Sequence, residues 1–162
     1  MQEIHPSILA PFCSYFYQIS PVEVIPVDSA APLLLGKVYI GSTFNALSVE
    51  KSRSGPSGLE IRAARNGRFP IDRLFESAAV RFGERTCGVL LTGTGTDGAK
   101  GLETIKAAGG LTIAQETSCC PFPNLVENAL QTNTVDDVLS TAQIAHRLSV
   151  WPYMGPRGLA RF

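Results

Sequence analysis

Residues 86–116 read TCGVLLTGTGTDGAKGLETIKAAGGLTIAQE, and the way this stretch folds decides the architecture of the chain. Cys87 to Leu91 is a short apolar run, which the glycine-rich Gly93-Thr94-Gly95-Thr96-Asp97-Gly98 cannot continue. Leu102, Ile105 and Ala108 then recur at helical spacing, Gly109-Gly110 stops the helix, and Leu111 to Ala114 is again apolar and β-prone. The stretch therefore predicts strand, turn, helix, strand. Such a βαβ unit puts its turn at the carboxyl edge of a parallel sheet, where α/β proteins keep their ligands and chemistry. One acidic residue, Asp97, sits in that turn.

Three readings compete for the turn. Gly93-x-Gly95-x-x-Gly98 has the spacing of a dinucleotide fingerprint, with Glu116 where a ribose-binding carboxylate belongs. Against it, Asp97 would set a negative charge beside a pyrophosphate at a helix N-terminus, whose value to an anion is its positive dipole end. The unit also starts past the middle of the chain, with no second mononucleotide half after it. In a plainer reading the loop only connects two elements and Asp97 caps the helix, since Asp is a favoured N-cap.

The third reading accounts for more of the chain. LLTGTGTDGAKGL followed by GGLTIAQE resembles the signature of the chemotaxis-type protein-glutamate methylesterases, the CheB family: L-T-G-M-G-x-D-G-A-x-G-L, then a helix and a strand ending T-I-A-Q. On one side, LLLGKVYIGSTFNALSV resembles the family's P-G-x-V-Y-(V/I)-A-P-x-x-x-H-L-x-V segment, and RFPIDRLFESAAVRFGERTCGVLLTG resembles R-P-S-(V/I)-D-x-L-F-x-S-A-A leading into the signature. On the other, PNLVENALQTNTVDDVLS resembles the stretch carrying M-P-x-x-A-I-x-x-G-x-V-D-x-V-L.

The resemblance implies a Ser-His-Asp triad that hydrolyses methyl esters on receptor glutamates. Asp97 falls on the triad carboxylate, which holds an imidazole in one tautomer and stabilises its charged form. The oxyanion donors fall on the Thr94-Gly95 backbone, with Thr94 standing where the family has Met; a backbone amide survives that change. The histidine departs from the pattern. Laid without gaps on the family's Q-H-M-P-P-x-F, Gln2 to Ile8 puts Glu3 on the catalytic position and His5 two residues later. A glutamate cannot pass a proton as imidazole does near neutral pH without a strongly raised pKa. His5 is the candidate substitute, if the strand end is rebuilt; otherwise it is a solvent-touching residue before the helix. The family's nucleophile turn, G-A-S-T-G-G, has no counterpart upstream. Ile40-Gly41-Ser42-Thr43 imitates it, but in the wrong place in chain order and with strand, not helix, expected after it.

Composition agrees with one domain holding a full core. Among the 162 residues, hydrophobic ones make up 44% and charged ones 17%, with net charge zero and a pI near 6.7. Nucleic acid or an acidic membrane surface would call for a basic excess that is missing. No apolar run reaches the length of a membrane span and no signal peptide opens the sequence. Cys13, Cys87, Cys119 and Cys120 lack metal-ligand spacing and read as reduced thiols of a cytoplasmic protein. Neither metal nor organic cofactor is expected, and NAD and ATP are expected not to bind.

Periodicity places a helix over 6–19, with Ile8, Leu9, Phe12, Phe16 and Ile19 on one face, and a strand over 22–27 broken at Pro26. Residues 37–41 and 46–49 suggest a small hairpin, joined by 58–64 beyond a polar loop. Helices follow over 70–82, 124–132 and 141–149, with a strand over 135–139. The fold class is thus α/β: three layers around a doubly wound, mainly parallel sheet with a small antiparallel hairpin. Residues 2–150 form a CheB-type domain lacking its nucleophile strand, and 151–162 an irregular tail. The expected function is glutamate methyl ester hydrolysis on a methyl-accepting chemotaxis receptor or related signalling protein, with this chain inactive by itself. The rival is a non-catalytic module that binds the same partners; a dinucleotide-binding domain is a remote third.

Overall fold

The computed structural model describes residues 4–52, 58–65 and 67–154. The chain divides into two compact units, residues 1–77 and 78–162. Its strands form mainly parallel ladders beside one antiparallel sheet, an α/β architecture.

In the first unit, helix α1 (Pro6–Ile19) starts where the sequence places it, with proline in the first turn and His5 as N-cap. Its inward positions are Leu9 and Cys13, one turn apart. Elsewhere on the expected apolar face Phe12 is half-buried and three positions are not covered: Ile8 is 52% exposed, Phe16 37% and Ile19 63%. Strand β1 (Glu23–Val27) is continuous, and Pro26 does not break it. A two-stranded ladder leaves each strand one open edge, where a missing N–H costs nothing.

The expected hairpin is corrected by the pairing. Strand β3 (Lys37–Gly41) runs parallel to β1, while β4 (Asn45–Lys51) pairs antiparallel with β5 (Leu59–Arg65), which also pairs with β2 (Ala30–Pro32). The turn between β3 and β4 redirects the chain. The Ser42 hydroxyl donates to the Ile4 carbonyl (2.5 Å) and accepts from Phe44 N (3.2 Å), and Asn45 N closes on Ser42 O (3.1 Å). Val27, Leu47 and Ile61 form the core of this unit, with Tyr39 and Leu74 against them. Most of the expected polar loop, residues 53–57, lies outside the described residues. Helix α2 (Pro70–Phe82) spans the division between units, starting at proline as expected.

The second unit is a parallel ladder in the order β6-β7-β8: Cys87–Leu90, Leu111–Gln115 and Asp137–Leu139. Central β7 is buried at every position, while β6, which carries the signature turn, lies at the end of this ladder. Helix α3 (Ala99–Ala107) buries Leu102 and Ile105 completely, each contributing about 2–3 kcal/mol. It ends as the paired glycines predict. Gly109 takes a left-handed φ of 81°, and Gly110 N reaches back to Ile105 O at 2.9 Å, closing a Schellman motif.

Helix α4 (Asn124–Leu130) is shorter than expected, and α5 (Thr141–Met154) longer. Trp151 packs on the Leu111, Ile113 and Ile144 cluster, and burial of an indole favours continuing the helix past the expected tail start. Residues 155–162 of that tail lie outside the described residues.

The loop into β8 is held by Asp136. Thr112 N donates to its Oδ2 (3.0 Å), Lys106 Nζ donates to its Oδ1, and its own N–H donates to Thr112 Oγ1 (3.0 Å). Burial alone pushes this carboxyl up, but the bonds from Lys106 and Thr112 outweigh it and hold Asp136 below its ordinary value. Its contribution to stability is therefore complete above pH 3.8 and lost as the pH falls through the lower folded value. Asp136→Asn should cost roughly 2 kcal/mol in urea unfolding at neutral pH, and almost nothing once the wild-type carboxyl is protonated.

All four cysteines are free thiols. Burial raises the Cys13 thiol and pushes Cys87 up to about 12, whereas Cys119 is exposed. Iodoacetamide should alkylate Cys119 first, and Cys13 and Cys87 only after unfolding; peptide mass mapping of a time course decides it.

Candidate functional site

The turn between β6 and α3 is held by three sets of bonds. Gln115, buried at the end of β7, accepts from Thr92 N through Oε1 (3.0 Å) and donates through Nε2 to Cys119 O (2.9 Å). Thr92 and Phe122 exchange bonds: the hydroxyl donates to Phe122 O (3.1 Å) and accepts from Phe122 N (2.9 Å). Gly93 N also donates to Phe122 O (2.8 Å), and Leu125 N to Gly93 O (3.0 Å). Finally, Gly95 N donates to Asn124 Oδ1 (2.9 Å) and Asn128 Nδ2 donates to Gly95 O (2.8 Å).

These bonds single out Thr94. Gly93 and Gly95 on either side have both backbone groups engaged, so Gly95 N–H is already committed. Thr94 N–H has no hydrogen-bond partner among the described residues. Thr94 is exposed, and Asp97, three residues on, is half-buried. The N-cap of α3 is Gly98, with φ 96°, so Asp97 stands one residue outside the cap position assigned to it by the plainer reading.

Thr94, Gly95 and Asp97 thus share one loop of the second unit, whereas His5 belongs to the first. His5 is exposed. Its Nδ1 accepts from Ser7 N (3.3 Å), lies 2.8 Å from Ser7 Oγ, and so caps α1, while its ring meets Phe44 edge-on at 5.8 Å. Glu3 lies outside the described residues. Ser42 is fully buried, with its hydroxyl spent on Ile4 and Phe44. Among the described residues no group of three or more His, Cys, Asp or Glu is placed to hold a metal ion, and no helix is long and apolar enough to cross a membrane.

Sequence reasoning missed the residues that hold the turn. Gln115 was visible as the end of the T-I-A-Q strand, and Asn124 and Asn128 had the i, i+4 spacing that puts two side chains on one helix face.

The α/β fold is shared with a solved structure, the Thermotoga maritima CheB methylesterase catalytic domain. The two superpose with a TM-score of 0.80 at 22% identity, over 91% of this chain and 79% of that one. The family model for CheB methylesterase matches residues 1–148. A protein-glutamate methylesterase/protein-glutamine glutaminase of Anaeromyxobacter dehalogenans is 33% identical over 148 residues, and one of Hydrogenovibrio crunogenus 32% over 149. Each alignment takes in 91% of this chain but only 43% and 40% of those proteins, so the chain spans about two-fifths of their length. The chain belongs to the CheB methylesterase family.

Removing the buried Ser42 hydroxyl should act on stability alone. Ser42→Ala is expected to cost about 1–2 kcal/mol in urea unfolding, because the Phe44 amide loses its acceptor. Labelling by a fluorophosphonate serine probe should be the same for both proteins; a signal lost in the variant would make Ser42 a reactive group.

Proposed function

We propose that this chain works in the hydrolysis of glutamate methyl esters on cytoplasmic portions of chemotaxis receptors, supplying the carboxylate Asp97 and the backbone donor Thr94, and that residues 1–162 alone do not complete the reaction. The observation that carries this reading is the Thr94 N–H, without a partner among the described residues and held between two fully bonded glycines on the loop that also bears Asp97. A donor fixed before the reaction costs no reorganisation when charge develops on the ester carbonyl oxygen. Hydrolysis consumes one water and yields methanol, a carboxylate and a proton. The relatives' names add glutamine deamidation, which passes through the same kind of tetrahedral intermediate.

Ester hydrolysis of this type also needs a nucleophile and a base, and their absence from a triad is far from additive. Ser42 is buried and committed, and His5 Nδ1 serves the cap of α1. These two features favour a second reading, a module that binds receptor or a signalling partner without turnover. The dinucleotide reading fares worse, because Gly93 and Gly95 amides are spent on Phe122 and Asn124 and cannot cradle a pyrophosphate. No cofactor is needed for acyl transfer by side chains and backbone donors.

The test is methanol release from a methylated receptor fragment, with binding to the same fragment followed by calorimetry. The chain and its Asp97→Ala variant are both expected to release methanol at the background rate, while the chain binds the fragment. Release that vanishes in Asp97→Ala would overturn the inactivity of the isolated chain. Absence of binding would overturn the receptor assignment.

A further inference from the structure

We propose that Asn124 and Asn128 are positioning residues that hold the two peptide planes after the Thr94 N–H and so its relation to Asp97; the inference rests on reading Thr94 as the oxyanion donor. A trans peptide is planar, so its C=O and N–H point in opposite directions. Gly93 O is turned onto Leu125 N at 3.0 Å, and Thr94 N–H, in the same peptide plane, is therefore aimed away from the start of α4. The next plane, Thr94–Gly95, is fixed by Gly95 N on Asn124 Oδ1 at 2.9 Å. The plane after that, which leads on toward Asp97, is fixed by Asn128 Nδ2 on Gly95 O at 2.8 Å.

With the peptide planes on both sides of it held, Thr94 keeps one backbone conformation. The two asparagines also orient each other, since Asn128 Nδ2 lies 3.4 Å from Asn124 Oδ1. Between them Gly95 takes a φ of 95°, a conformation L side chains rarely adopt, although a Cβ there would meet nothing within 4 Å. The glycine answers to the dihedral that the asparagine pair holds, and crowding plays no part.

Amide hydrogen exchange and ¹⁵N–¹H spectra of the whole chain test this. In Asn124→Ala, Gly95 N–H loses its acceptor and should exchange about tenfold faster, with the Thr94 resonance displaced and β7 amides unchanged. Asn124→Asp keeps an acceptor and should restore Gly95 protection. Asn128→Ala should displace the resonances from Gly95 to Asp97. Wild-type Gly95 exchange in Asn124→Ala, or no rescue by Asp, would overturn the proposal. So would a uniform rise in exchange across β7, which would mean that the asparagines serve the fold of the whole unit. Methanol release or receptor binding of either sign leaves this measurement unaffected, so failure of the clamp and failure of the functional reading are told apart.

Discussion

The exchange of hydrogen bonds between Thr92 and Phe122 is the constraint on which the shape of the second unit's glycine-rich turn depends. Without it the eight residues from Leu91 to Gly98 would be a glycine-rich loop, and ordering each costs about 1–2 kcal/mol of backbone entropy. A single Thr hydroxyl, acting as donor and acceptor at once, brings the segment before α4 against the end of β6. Once that contact exists, Gly93, Leu125 and the two asparagines find their partners with little further loss of freedom. Gln115 adds a buried link from β7, so the turn is referenced to the central strand of its ladder as well as to the adjoining helix.

The first unit uses the same device at Ser42. Its hydroxyl joins the β3–β4 turn to Ile4, just ahead of the N-cap of α1, and the chain leaves one ladder for another at that turn. The sequence there imitates a nucleophile turn, but a catalytic serine must present its oxygen to substrate, whereas this one has given both its hydrogen and a lone pair to the backbone.

Element identity was legible where local chemistry sets it. Pro6 and Pro70 mark helix starts, and Gly109-Gly110 marks a stop, because proline's fixed φ and glycine's access to left-handed φ act within a single turn. Strand partnership was legible only in part: residues 58–64 were expected to join 46–49, and β5 does pair with β4. Residues 37–41 and 46–49 are separated like a hairpin, yet their partners are β1 and β5, a choice made by burial of Val27, Leu47 and Ile61. The helical face of α1 misled for a related reason: apolar spacing says which residues share a face, and the packed neighbours decide that Leu9 and Cys13 are the covered ones. In the turn, the pattern placed Asp97 and Thr94 on one loop, while the partners of Thr92 and Gly95 lie some 30 residues away in sequence and leave no local mark.

That separation explains how the turn accommodates Thr94 where the family pattern has Met. The group proposed to act is the amide, and every bond that aims it is made by its neighbours: Gly93 to Phe122 and Leu125, Gly95 to Asn124 and Asn128. Thr94's own side chain is exposed and makes no hydrogen bond among the described residues, so exchanging it alters local packing and leaves the amide in place. Constraint on this loop therefore falls on the residues that hold the peptide planes and on Asp97. The position proposed to donate is thus the one whose side chain the turn holds least, because what it would contribute is carried by the backbone.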